Sequence, residues 1–114
     1  MNAASHDPDE IWSDWKDAVN MTASELSDWL ESEESLSVGQ KDSENDESVG
    51  HSSGRRIVEI LRTKRADLAD DDVDHMRKVV GYVHRHLAQR PSKEDLETSK
   101  WRYSLMNWGH DPLK

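Results

Sequence analysis

The chain contains no cysteine and no phenylalanine, and hydrophobic residues make up only 33% of its 114 positions. The first absence excludes disulfides and thiolate metal sites. The second leaves five tryptophans, with clustered Val, Ile, Leu and Met, to supply most of the buried area. So small an apolar fraction supports a single core and leaves part of the chain outside it. Long apolar runs are missing as well. The longest cluster, Val79 to Val83, is broken by Gly81 and is far too short to cross a bilayer. The opening residues have neither a basic start nor an apolar run of signal-peptide length. A soluble protein without a membrane partner is expected, with the cytoplasm as its compartment.

Charge is abundant but unevenly spread. The formal net charge is -9; residues 1–50 carry 14 acids against 2 Lys/Arg, a balance of -12, and residues 51–114 carry 13 Lys/Arg against 10 acids, a balance of +3. This implies an acidic arm beside a basic surface. Such acidity keeps a protein soluble in a high-salt, halophilic host, or it screens a basic face until a polyanion displaces the arm. The first explanation needs no further mechanism and is preferred.

Residues 1 to 6 are expected to fray. Asp7-Pro8-Asp9-Glu10 then reads as a helix start, with Asp7 as cap and Pro8 at the first helical position, and Ile11, Trp12, Trp15, Ala18 and Val19 set one apolar face. Thr22 and Glu25 form a capping box flanked by the hydrophobic staple of Met21 and Leu26, and Leu26, Trp29 and Leu30 supply the next face. Residues 7 to 30 are therefore predicted to be an αα-hairpin turning at Asn20-Met21-Thr22.

Residues 31 to 47, mostly Glu, Asp and Ser, predict a flexible acidic linker. Within it Ser37-Val38-Gly39-Gln40 is echoed by Ser48-Val49-Gly50-His51, too short a match to establish a structural repeat. A helical core is expected from 48 to 114. Ile57, Ile60, Leu61 and Leu68 stripe one helix, and Asp70, Asp71 and Asp72 place acid in the first turn of another. The seam Val73, Met76, Val80, Val83 and Leu87 makes this second one the central packing helix, with Tyr82 pointing away. Ser92, with Asp95 three residues on, is expected to cap a last helix that carries Trp101, Leu105 and Trp108 and stops at Gly109 and Pro112.

No spacing demands a reaction. His84 and His86 diverge on a helix, and His75 and His86 stand about 16 Å apart along it, so no metal site is expected. His110-Asp111 would suit an acid-base dyad, but no nucleophile lies near in sequence. Neither enzyme activity nor a cofactor is expected.

The best candidate site is the stretch from Ser48 to Arg56, where a loop turns into a helix. With Ser53 as N-cap and Gly54 as first helical residue, Arg55 and Arg56 occupy the second and third positions and oppose the helix dipole. An anion gripped by free N–H groups and two guanidiniums would resolve that conflict. Arg62, Lys64 and Arg65 continue the basic face, and Arg85 and Arg102 extend it. Two readings follow, the first preferred and the second its alternative. The face binds nucleic-acid phosphates, of DNA or another polyanion; or the chain is a protein-interaction or stress-related accessory module in which the same arginines hold the acidic linker or an acidic partner's carboxylates. Neither brings base specificity, because helix-turn-helix and aromatic RNA-binding signatures are absent.

Ser48-Val49-Gly50-His51, Ser53-Gly54-Arg55-Arg56-Ile57-Val58, His75-Met76-Arg77-Lys78-Val79-Val80-Gly81-Tyr82-Val83-His84-Arg85-His86 and the Trp101-to-Pro112 ending resemble an uncharacterised small-protein family, domain of unknown function 3140. The resemblance covers most of the chain, including the Asn20-Met21-Thr22 turn. It implies little chemistry, since members are sometimes labelled DNA-binding and the label carries no residue roles. The expected fold is a single all-α domain of about five helices, a small irregular bundle packed around the Val73-to-Leu87 seam.

Overall fold

The computed structural model describes residues 8–38, 49–92 and 95–114. The expected frayed residues 1 to 6, the Asp7 cap, residues 39 to 47 of the linker and Ser48 lie outside them. Among the described residues the fold is all-helical, with six α-helices and no strand. They are α1 (Pro8–Ala18), α2 (Ala23–Leu30), α3 (Glu33–Leu36), α4 (Val49–Leu61), α5 (Asp70–Leu87) and α6 (Lys100–Asn107), with 3-10 turns at Arg65–Asp67 and Leu96–Thr98. None of these helices is long and apolar enough to cross a membrane.

Local chemistry sets most of the helix starts. Thr22 Oγ1 accepts from the Glu25 amide at 3.1 Å and the Glu25 carboxylate accepts from the Thr22 amide at 2.8 Å, completing the expected capping box. At α5, Asp72 accepts from the Ala69 amide at 3.0 Å, and Asp70, Asp71 and Asp72 together complement the dipole. The start of α6 differs from expectation. Asp95 organises the turn Leu96–Thr98, its carboxylate accepting from the Glu97 amide at 3.0 Å, and Ser99 then caps α6 by accepting from the Arg102 amide at 3.1 Å. Leu96 packs on the core, so the chain docks there before the helix begins, and Ser92 is no cap.

The N-terminal hairpin is replaced by another arrangement. α1 packs on α5 and α2 packs on α4, with little between α1 and α2. Each short helix has one apolar face, Ile11, Trp15 and Ala18 on α1 and Leu26 and Leu30 on α2. With those faces laid on α5 and α4 little is left between α1 and α2, although α2 also reaches α6 through Trp29. Residues far along the chain hold the turn between them. The Met21 amide donates to the Gly109 carbonyl at 3.2 Å, the Asn20 side chain donates to the Asp111 carbonyl at 3.0 Å, and the Asp111 amide donates back to Asn20 Oδ1 at 2.8 Å. Gly109 can do this because α6 ends in a Schellman motif. The His110 amide reaches the Leu105 carbonyl at 3.0 Å, the Gly109 amide reaches Met106 at 2.9 Å, and Gly109 takes the required left-handed φ of 83°.

The α5 seam is buried at Val73, Met76, Val80 and Val83, as expected, with Val79 buried beside it and Leu87 only partly covered. The helix that touches most of the others is nevertheless α6, which lies against α2, α3, α4 and α5. Its Asn107 is 1% exposed. The Asn107 amide oxygen accepts from Trp29 Nε1 at 2.7 Å and from the Ser35 hydroxyl, and its nitrogen donates to the Ser35 carbonyl at 3.1 Å. That demand orders the first part of the expected linker. Residues 33–36 form α3, capped by Ser32, and Ser35 and Val38 are buried, so this part of the expected linker is helical and packed on the core.

Close packing at α4 generates a prediction. A Cβ on Gly54 would lie 2.5 Å from the Asn107 carbonyl oxygen and 2.7 Å from Leu30 Cδ2, whereas one on Gly81 of α5 would meet only the mobile tip of Arg85 at 3.2 Å. Gly54→Ala should therefore destabilise by about 1–3 kcal/mol or more, and Gly81→Ala should stabilise by up to about 1 kcal/mol through helix propensity. Urea unfolding of the two variants reads both signs; two changes of the same sign would refute the packing described.

Candidate functional site

α4 is already under way at Val49, so Ser53 and Gly54 lie inside it and not at its start. The expected N-cap at Ser53 is thus overturned. Ser53 is buried and shares a 2.9 Å hydrogen bond with His75 Nε2 on α5, while Gly54 is pressed against α6 and Leu30. Small side chains that read as a helix start are here what lets α4 approach its neighbours. Their amides belong to the helix ladder and offer nothing to an anion.

Arg55 and Arg56 do stay together. With Ser52, Glu59 and Asp72 they line an open depression of about 430 Å³. Arg56 Nη2 donates to Asp72 Oδ1 at 3.2 Å, a pair that remains 41% and 27% exposed, and Glu59 stands one turn beyond Arg55 on the same side of the helix. The depression therefore mixes two guanidiniums with two carboxylates, of which Asp72 is paired with Arg56.

The other predicted cations disperse. Arg62 and Lys64 are exposed around the end of α4. Arg65 turns to α1, with Nε 3.3 Å from Asp9 Oδ1 and its guanidinium 4.8 Å above the Trp12 ring. Arg85 is exposed on α5. Arg102 grips Asp111 through two 3.1 Å bonds and gives a third, at 2.8 Å, to the Glu97 carbonyl. Burial pushes the Asp111 carboxyl up, but the Arg102 hydrogen bond, the Leu113 amide and the charges of Arg102 and Lys114 outweigh it and hold the group below its ordinary value. The His110-Asp111 dyad is pulled apart accordingly, since His110 Nδ1 donates to the Ala18 carbonyl at 2.7 Å.

One cluster had no sequence signal. Tyr82, expected to point away from the core, is half-buried and stacks on Trp108 at 4.1 Å between centroids and on His86 at 5.3 Å. His75 continues the stack beyond Trp108 at 6.4 Å and Trp101 continues it beyond His86 at 6.3 Å. The rings come from two helices and sit at near-parallel angles of 13° to 17°. His51 was missed too. It is buried, and its Nε2–H donates to the Leu30 carbonyl at 2.7 Å, so α4 caps the end of α2.

A family model described as "Protein of unknown function (DUF3140)" matches residues 14–106. No curated protein and no solved structure matches the chain.

Burial lowers the affinity of His75 and His86 for protons below the ordinary value of 6.5, with the charges of Arg56 and Lys78 adding to the effect at His75. His86 Nε2 is enclosed with no hydrogen-bond partner among the described residues. Both imidazoles are harder to protonate folded than unfolded. As pH falls below about 6.5 the unfolded chain takes up protons first, and stability drops until the folded imidazoles titrate as well. The urea midpoint should be lower at about pH 5.5 than at about pH 7.5, with most of the difference gone in a His75→Gln/His86→Gln variant. An equal fall in that variant would remove the imidazoles from the account.

Proposed function

The chain belongs to the DUF3140 family, and on the geometry of its arginines we propose that it is a non-enzymatic protein-interaction module that takes partner carboxylates at Arg55 and Arg56. The observation that supports this reading is the alternation of Arg55 and Arg56 with Glu59 and Asp72 in one depression. A nucleic-acid duplex is a rod with one charge per about 1.7 Å of axis. Laid on α4, it would meet those two acids and the exposed Asp70, Asp71 and Asp74 at the start of α5, while Arg65 and Arg102 are turned to Asp9 and Asp111. A single carboxylate needs only the gap between two guanidiniums. Arg56 offers Asp72 one bond from its fork of five donors, and the Ser52 hydroxyl stands on the same rim. Mixed charge of this kind favours a partner of complementary pattern and repels uniform polyanions.

The test uses a labelled peptide with paired glutamates, followed by fluorescence anisotropy. Arg55→Ala/Arg56→Ala should weaken binding at least about tenfold, whereas Arg62→Ala/Lys64→Ala, an equal change in charge, should have little effect. Duplex DNA serves as the contrasting probe. Binding to it that falls steeply with salt, with a log–log slope made shallower by about two in the Arg55/Arg56 variant, would replace this reading with the phosphate one.

A further inference from the structure

Between α2, α3 and α6 lies a second depression of about 500 Å³, which the arginine site does not use. Its walls are apolar, from Met21, Trp29 and Met106, and its rim is acidic, from Glu25, Asp28 and Glu34. Asp111 also borders it but is bound to Arg102. Among the described residues Lys114 is the one basic side chain on the rim, and its ammonium donates to Glu25 Oε1 and, at 2.9 Å, to the Asn20 carbonyl. That contact with Lys114 is the leading reason the Glu25 carboxyl is held below its ordinary value. Asp28 and Glu34 are exposed and have no ion partner among the described residues.

We propose that this groove receives a lysine-bearing segment of a partner protein, with a lysine stem along Trp29 and Met106 and its ammonium held by Asp28 and Glu34. Lysine suits both parts of the site, because its methylenes cover apolar surface while its charge stays at the rim, and an indole face attracts a cation. Lys114 serves as an internal example of the guest, since its ammonium is held on this rim by one carboxylate and one carbonyl. The shape favours a chain segment over a small polycation. The rim follows α2, about 12 Å long at eight residues, which alone takes about four residues of extended peptide, and continues onto α3. Three rim carboxylates against one lysine leave the groove net acidic, so a basic segment is the complementary one. The inference does not rest on Arg55 or Arg56, which line a different depression.

The probe is a blocked hexapeptide alternating lysine and alanine, titrated into the full chain by calorimetry and by NMR of the tryptophan indoles. Three results are expected. The Trp29 indole resonance moves most; Asp28→Asn/Glu34→Gln weakens binding at least about tenfold, while the charge-matched Asp14→Asn/Asp17→Asn on α1 changes it less than about twofold; and Lys114→Gln tightens binding while Lys78→Gln does not. Equal effects within either matched pair would mean general attraction to an acidic protein and would overturn the proposal. So would a peptide that leaves Trp29 unmoved. Spermine competing as well as the peptide would make the guest a small polyamine, and the segment proposal would fail.

Discussion

A single buried amide obliges three stretches of chain to agree. Asn107 joins α6 to Trp29 of α2 and to Ser35 of α3, and the absence of a side chain on Gly54 lets α4 press against its carbonyl. Leaving any one of these buried polar groups unpaired costs about 1–3 kcal/mol, a large share of the stability of a small domain. α2, α3 and α4 are thereby held in place around α6. The Schellman turn that follows immediately then delivers Gly109 and Asp111 to the turn before α2, and α1 leaves that turn to lie on α5.

Sequence periodicity reads apolar faces well and polar joints badly. The Thr22–Glu25 box, the acids opening α5, the α5 seam and the buried Trp101 and Trp108 were all legible, because each is a local pattern with a local cause. Ser53-Gly54 and Ser92 were misread for a related reason. Serine before glycine, or before an acid three residues on, looks the same whether it caps a helix, fills a tight gap between helices as Ser53 does or stands exposed ahead of a turn as Ser92 does, and only the neighbours decide. Asn107 carried no signal at all, since one polar residue in an amphipathic stripe reads as a surface position. The fate of the αα-hairpin was likewise set elsewhere, by α4 and α5 competing for the only apolar face of each short helix.

The candidate site was legible in its composition and not in its partners. Arg55 and Arg56 were found because they are adjacent in the chain. Their company of Glu59 and Asp72, the turn of Arg65 toward Asp9 and the burial of Arg102 against Asp111 depend on contacts across the fold. Exposed pairs such as Arg65–Asp9 and Arg77–Glu10 contribute only about 0–1 kcal/mol each, so they stabilise little. Their larger effect is on the outer field, where Arg65 and Arg77 each face an acid of α1 and the surface there presents local pairs of charge instead of a single sign.

The clasp between Asn20 and Asp111 spans 91 positions, and that distance has a meaning while the protein is being synthesised. At about 5–20 residues per second, a ribosome needs on the order of ten seconds to deliver the second half of the clasp after the first. Until then α2 lacks the indole partner that Asn107 provides, and α1 waits for α5. The nascent N-terminal half is thus a pair of amphipathic segments with bare tryptophan faces, embedded in the most acidic stretch of the sequence. Apolar faces that the finished fold covers are exposed together for several seconds, beside the segment that carries most of the chain's acids.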